Sequence, residues 1–226
     1  MAVLKILSGG AMRPLLTEAM PLFEQASGNK AEVRFALTSA LAKEIEAGAA
    51  FDLALLPRPE LDELVRAGKI TADSVADIAR SAVGLCVRAG APKPGIGTVA
   101  AFKAALLAAR TVGYSDGPSG AYVASLFERL GIAAGMKPKV RLTSRPVAEI
   151  VAAGEAEIGL QQIVAILPVK GAELVGPLPG ELQNVIVYAM GTSSEARHGD
   201  AARALTAFLG SSDAIRVMRV KGLEPG

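Results

Sequence analysis

Tryptophan is absent from this chain, and cysteine and histidine occur once each, as Cys86 and His198. One thiol and one imidazole exclude an intrachain disulfide, a His-rich metal centre and the paired Cys/His spacings that hold zinc, so no cofactor or metal is expected. Aromatic residues make up 4% of the sequence, too few for a platform that stacks nucleic-acid bases. The 24 Lys and Arg against 22 Asp and Glu leave a formal charge of +2. With no basic run long enough to follow a phosphate backbone, nucleic acid is not an expected partner. No apolar run reaches the roughly 18 residues of a membrane span. The start, Met1 to Leu7, lacks the basic, apolar and small-residue succession of an export signal. The chain reads as cytoplasmic, or as periplasmic if a leader has been removed.

What is present is a 226-residue chain with 51% hydrophobic and 20% charged residues, enough for one large core or two modest ones. Val3 to Leu7 reads as a strand, Ser8-Gly9-Gly10 as a turn, and Leu15, Ala19 and Phe23 with Leu16 and Met20 as one face of a helix ending near Ser27-Gly28. The unit repeats. Val33 to Leu37 is followed by a helix from Leu41 to Ala47, and Phe51 to Leu56 by a helix from Pro59 to Gly68. Such alternation predicts an α/β layer fold with a parallel sheet. After the strand Ser81 to Ala89 and a break at Gly90 to Gly97, alternation resumes through helix 98–109, strand 111–114, helix 119–130, strand 139–142, helix 146–153 and strand 157–161. Asn184 to Met190 and two amphipathic helical stretches, 196–209 and 213–218, close the chain. The expected division is an outer lobe of residues 1–83 and 183–226 with an inserted lobe of 84–182, two crossings forming a two-stranded hinge and a ligand cleft between the lobes.

Ligands of open α/β sheets sit beyond the carboxyl ends of the strands. Ser8, Gly9, Gly10 and Arg13 lie where a strand turns into a helix, so backbone N–H groups and a hydroxyl are available to an anion; a tight turn alone is the alternative. The spacing is neither a mononucleotide loop nor a dinucleotide fingerprint. Thr38 and Ser39 mark a second strand end and could equally cap the next helix. Arg58, between two prolines, marks a third, though arginines are common surface residues. In the second lobe Ser119, Gly120, Ala121 and Tyr122 open a helix after a strand, with Asp116 expected to fix the turn through hydrogen bonds. Gln161 and Gln162 offer amides that donate and accept without charge, or else an exposed strand end. His198 lies in a polar stretch and reads as a surface residue, and Cys86, in an apolar run, as a buried thiol.

Leu7-Ser8-Gly9-Gly10-Ala11, Thr38-Ser39-Ala40-Leu41-Ala42, Phe51-Asp52-Leu53-Ala54, Ser119-Gly120-Ala121-Tyr122 and Gly154-Glu155-Ala156-Glu157-Ile158-Gly159-Leu160 together resemble the molybdate-binding-protein-like family of bacterial solute receptors. That family has the periplasmic binding protein type II fold, and the resemblance spans Leu4 to about Leu209. It implies two lobes that close over a small anion held by hydroxyls and backbone N–H groups, with Ser8 and Ser39 supplying hydroxyls and Ala121 lying near the ligand. Gln161-Gln162 stands where molybdate binders carry a valine-tyrosine pair. With Arg13, Arg58 and the Gly176-Pro177-Leu178-Pro179 and Gln183 stretch, this resembles the subgroup that includes aconitate isomerase. An organic carboxylate paired with arginine fits as well as an oxyanion.

Two functions follow. One is a non-enzymatic receptor for a small anion, which would partner an ABC transporter if exported and otherwise be a monomer or homodimer. The other is an isomerase of an unsaturated carboxylate, which needs a base; Asp116 and Tyr122 are the candidates. The residues leave binding and catalysis both open.

Overall fold

A computed structural model describes residues 1–226 apart from Gly117 and the side chains of Pro118 and Ser119. In chain order the elements are β1 (Val3–Gly9), α1 (Arg13–Ser27), β2 (Lys30–Ala36), α2 (Thr38–Glu46), β3 (Leu53–Pro57), α3 (Arg58–Arg66) and β4 (Ala76–Arg88). Then come α4 (Val99–Ala108), β5 (Val112–Ser115), α5 (Pro118–Arg129), α6 (Ala133–Met136), β6 (Val140–Thr143), α7 (Val147–Ala152), β7 (Ile158–Gln162), α8 (Ile163–Ile166) and β8 (Ala172–Pro177). The chain ends with β9 (Val185–Thr192), α9 (Gly199–Leu209), α10 (Ser212–Val220) and β10 (Glu224–Pro225). It divides into two compact units, Met1–Ser81 with Ile186–Gly226, and Ala82–Val185.

In the first unit β1 lies between β2 and β3, parallel to both, and β9 runs antiparallel to β3. The stretch Leu53 to Leu56 is wholly buried, as a strand covered on both faces must be. Helix α1 turns Leu15, Leu16, Ala19, Met20 and Phe23 inward. It begins with Pro14 in its first turn, where a missing N–H costs nothing, and stops at Gly28, whose φ of 70° a side chain would strain. Phe23 also meets Phe208 of α9 with ring centroids 5.7 Å apart, and Glu18 pairs with Lys221 beyond α10. Strand β2 pairs only with β1 among the described residues, and along it Lys30, Glu32 and Arg34 are exposed while Ala31, Val33 and Phe35 are half-buried.

In the second unit β4 pairs antiparallel with both β7 and β8, while β5 is parallel to β7 and β6. One core gathers Phe102, Leu106, Leu126, Phe127 and Met136 around Val112 and Leu160. A second, with Ala148, Ile150 and Val151, encloses Cys86. Burial pushes that thiol up to about 12. Four elements have no counterpart in the sequence pattern: α6, α8, β8 and β10.

Candidate functional site

Parallel pairing puts the carboxyl ends of β1, β2 and β3 at one edge of the first unit's sheet. Ser8 is in register with Phe35 on one side and Leu55 on the other, and Gly9 with Ala36. From this edge each strand runs into a helix, β1 through the 3-10 turn Gly10–Met12 into α1, β2 through Leu37 into α2, and β3 directly into α3. Among the described residues no side chain caps any of these helix starts. Two other helices are capped by an N-cap side chain: Thr98 accepts from Ala101 at the start of α4, and Ser211 from Ala214 at the start of α10. A helix start without a side-chain cap presents backbone N–H groups and the positive end of the helix dipole to whatever lies beyond.

Thr38 and Ser39, for which sequence left a ligand-binding strand end and a helix cap both open, are the first two residues of α2 and do not cap it. The extended Leu37 takes the capping position, and its carbonyl accepts from Ala40 and Leu41. Thr38 is half-buried and Ser39 exposed. A methyl group added at Gly9 would lie 3.2 Å from the Thr38 hydroxyl, so the ends of β1 and β2 meet closely. Ser8 is fully buried and its hydroxyl donates to the Gly9 carbonyl at 3.2 Å. Gly10 is exposed. Arg13, the first residue of α1, lays its guanidinium carbon 4.1 Å above the centroid of Phe35, a cation–π contact. No carboxylate pairs with Arg13 among the described residues.

Arg58 has other company. Its Nε donates to Asp62 at 2.7 Å and a terminal nitrogen to Asp77 at 2.8 Å. Asp62, then Asp77, holds its pKa above the ordinary arginine value. The structure thus gathers Ser8, Gly9, Gly10, Arg13, Thr38 and Ser39 at one edge and shows Arg58 at the same edge already bridged to two acids. Asp62 stands four residues along the helix from Arg58, a spacing that sequence can show. Asp77, nineteen residues away on β4, and Phe35 gave no such signal.

In the second unit, Ser119 has its side chain outside the described residues. Gly120 is buried against the backbone of Ser115, closer than a side chain at that position would allow. Ala121 is exposed on the first turn of α5. Tyr122 donates its hydroxyl to the Leu182 carbonyl at 2.9 Å. The Gln161 side-chain oxygen accepts from Ala148 at the start of α7, 3.1 Å away, so this amide acts as a remote cap. Gln162 occupies the capping position of α8. Asp116 is exposed and donates through its backbone N–H to the Thr143 carbonyl. Gln183 also orders this region: it donates to Val83 and Leu178 and accepts from Val83 and Asn184.

Among the described residues no three His, Cys, Asp or Glu are grouped to hold a metal, and no helix is long and apolar enough to cross a membrane. His198 is exposed.

The family described as bacterial extracellular solute-binding protein matches residues 4–224. A curated relative, an aconitate isomerase of Pseudomonas sp, is 34% identical over 229 residues, covering 98% of this chain and 87% of the relative. Among solved structures, a substrate binding domain assigned to a molybdenum ABC transporter of Clostridium difficile superimposes with a TM-score of 0.86 at 16% identity, over the full length of both chains. The periplasmic molybdate-binding protein of Azotobacter vinelandii does so with a TM-score of 0.77 at 15% identity over 99% of each chain. At such identities these likenesses show the fold, which is that of the periplasmic binding proteins.

Proposed function

Because the chain belongs to the bacterial extracellular solute-binding protein family, we propose that it binds a small anion, an organic carboxylate or an oxyanion. The observation that carries this is the convergence, at one sheet edge, of three helix starts that no side chain caps. Backbone N–H groups at Gly9, Gly10, Thr38 and Ser39 then act as donors, the Ser39 and Thr38 hydroxyls add two more, and Arg13 supplies a full charge. Anions gain from such donors because the dipoles are fixed before the ligand arrives. The second unit carries candidate donors of its own, the backbone at Gly120 and Ala121 and the Gln161 and Gln162 amides. A permease of the ABC type is the partner if the protein is exported. Calorimetry against molybdate, tungstate, sulfate, cis-aconitate and trans-aconitate tests the proposal. Saturable one-to-one binding of at least one is expected, and no heat with any of them would sink it.

A second reading is favoured by the 34% identical aconitate isomerase. In it the bound anion is an unsaturated tricarboxylate. A base removes a proton from the methylene next to a carboxylate, the electron pair spreads over the adjoining double bond, and the proton returns at the far carbon. Arginine and backbone donors stabilise the charge that develops on the carboxylate. The Tyr122 hydroxyl is committed as a donor to Leu182, which leaves Asp116 as the base this reading must use. Incubation of cis- and trans-aconitate with the protein in deuterated water separates the two readings: deuterium enters the substrate, or the isomers interconvert, only if the chain is catalytic.

A further inference from the structure

We propose that Phe35 is a positioning residue which fixes the plane of the Arg13 guanidinium, so that the first unit's strand-end site prefers planar carboxylates to tetrahedral oxyanions. This rests on the anion-binding reading above and narrows it to a substrate class.

Two candidate cations lie at that edge, and their surroundings differ. Arg58 donates to both Asp62 and Asp77, which offset its charge and use two of its donor positions. Arg13 has no carboxylate partner among the described residues, and its guanidinium lies 4.1 Å above the Phe35 ring centroid. Phe35 is set by β-sheet register, directly opposite Ser8 on the neighbouring strand. Arg13 is set by the turn that follows the same strand, at the first position of α1. The ring and the guanidinium are therefore each held by regular structure that begins at the candidate donors.

A guanidinium stacked on an aromatic face keeps its N–H groups in its own plane, directed sideways, since the ring provides no in-plane acceptor. Bidentate pairing needs two parallel N–H groups facing two oxygens in one plane, which a carboxylate provides. A tetrahedral oxyanion is served as well by dispersed backbone N–H groups and gains less from a fixed plane. Stacking also removes rotamer freedom from the arginine before the ligand arrives, which lowers the ordering cost of binding.

The test is calorimetric titration of the whole chain and of Phe35→Leu, Phe35→Tyr and Arg13→Lys with cis-aconitate, trans-aconitate, molybdate and sulfate. In Phe35→Leu the affinity for the aconitates should fall about threefold to tenfold, while that for any tetrahedral anion that binds changes less than about twofold. Phe35→Tyr keeps the ring and should restore the carboxylate affinity. Arg13→Lys keeps the charge without the planar fork and should resemble Phe35→Leu. Binding of tetrahedral anions alone by the unaltered chain would overturn this inference and leave the anion reading standing. So would carboxylate affinity that is indifferent to Phe35→Leu, or an equal loss for both anion shapes. Binding of none of the four, nor of tungstate, would remove the anion reading itself.

Discussion

Gly120, at the start of α5, rests directly against the carbonyl group of Ser115 at the end of β5, and a Cβ on Gly120 would overlap that carbonyl. The obstruction is main chain, which cannot swing aside as a side-chain tip can. Gly120→Ala is expected to destabilise the protein by about 3 kcal/mol, lowering the melting temperature by about 6 to 12 °C. Gly95→Ala, where an added methyl meets nothing within 4 Å, should change stability by less than about 0.5 kcal/mol. Equal effects in thermal denaturation would contradict the tight approach.

Ser81, in β4, is fully buried, and its hydroxyl finds no hydrogen-bond partner among the described residues. A buried hydroxyl left unpaired costs free energy that alanine does not incur. Ser81→Ala should therefore raise stability by about 1 kcal/mol, seen as a melting temperature about 2 to 4 °C higher. A lower melting temperature would show that the hydroxyl is paired in solution.

Arg58 is expected to influence anion affinity by screening Asp62 and Asp77. Removing it in Arg58→Ala uncovers two carboxylates near the helix starts and should weaken anion binding about threefold to tenfold at low salt, less so at high salt. Adding Asp62→Asn and Asp77→Asn to that variant should recover most of the loss. Failure of the triple variant to recover would mean that the guanidinium touches the ligand itself.

Cys86 should be inert to thiol reagents in the folded protein at pH 8 and react only after denaturation, because burial keeps it protonated. In the unfolded chain the thiol ionises near its ordinary value of 9.0, whereas in the folded chain it does so near 12. The folded state holds the proton more tightly, so this group's contribution to stability is intact below pH 9.0 and is lost progressively as the pH rises toward about 12. Replacing Cys86 with alanine should flatten that part of the stability profile, as read by denaturant unfolding at several alkaline pH values.

The first unit's alternation was legible because its signals are local. The apolar spacing of Leu15, Ala19 and Phe23 and the stop at Gly28 mark α1, and the unbroken apolar run to Leu56 marks β3. Strand β8 was not legible, since its residues are all half-buried or exposed, it contains Glu173, and it ends in Pro177, leaving no alternation to read. Helix α6 and strand β10, at four and two residues, are too short to show a period. Within the candidate site, strand-end positions followed from topology, but pairings did not. The Arg13–Phe35 contact depends on the register of β2 against β1, the Arg58–Asp77 bridge on where β4 passes α3, and the Gln161 contact with Ala148 on how α7 lies on the sheet. Hydroxyl residues at a strand–helix junction suit either a cap or a ligand, which left Thr38 and Ser39 open between the two; α2 in fact begins at Thr38 itself, three residues before the expected Leu41.

The outer strand β2 carries Lys30, Glu32 and Arg34 along a border that no further strand covers among the described residues. Charges in that alternation discourage a second molecule from stitching its own backbone onto the sheet. Exchanging Glu32 and Arg34 for valine would turn this guarded rim into an adhesive one, and concentrated preparations would then be expected to polymerise through it.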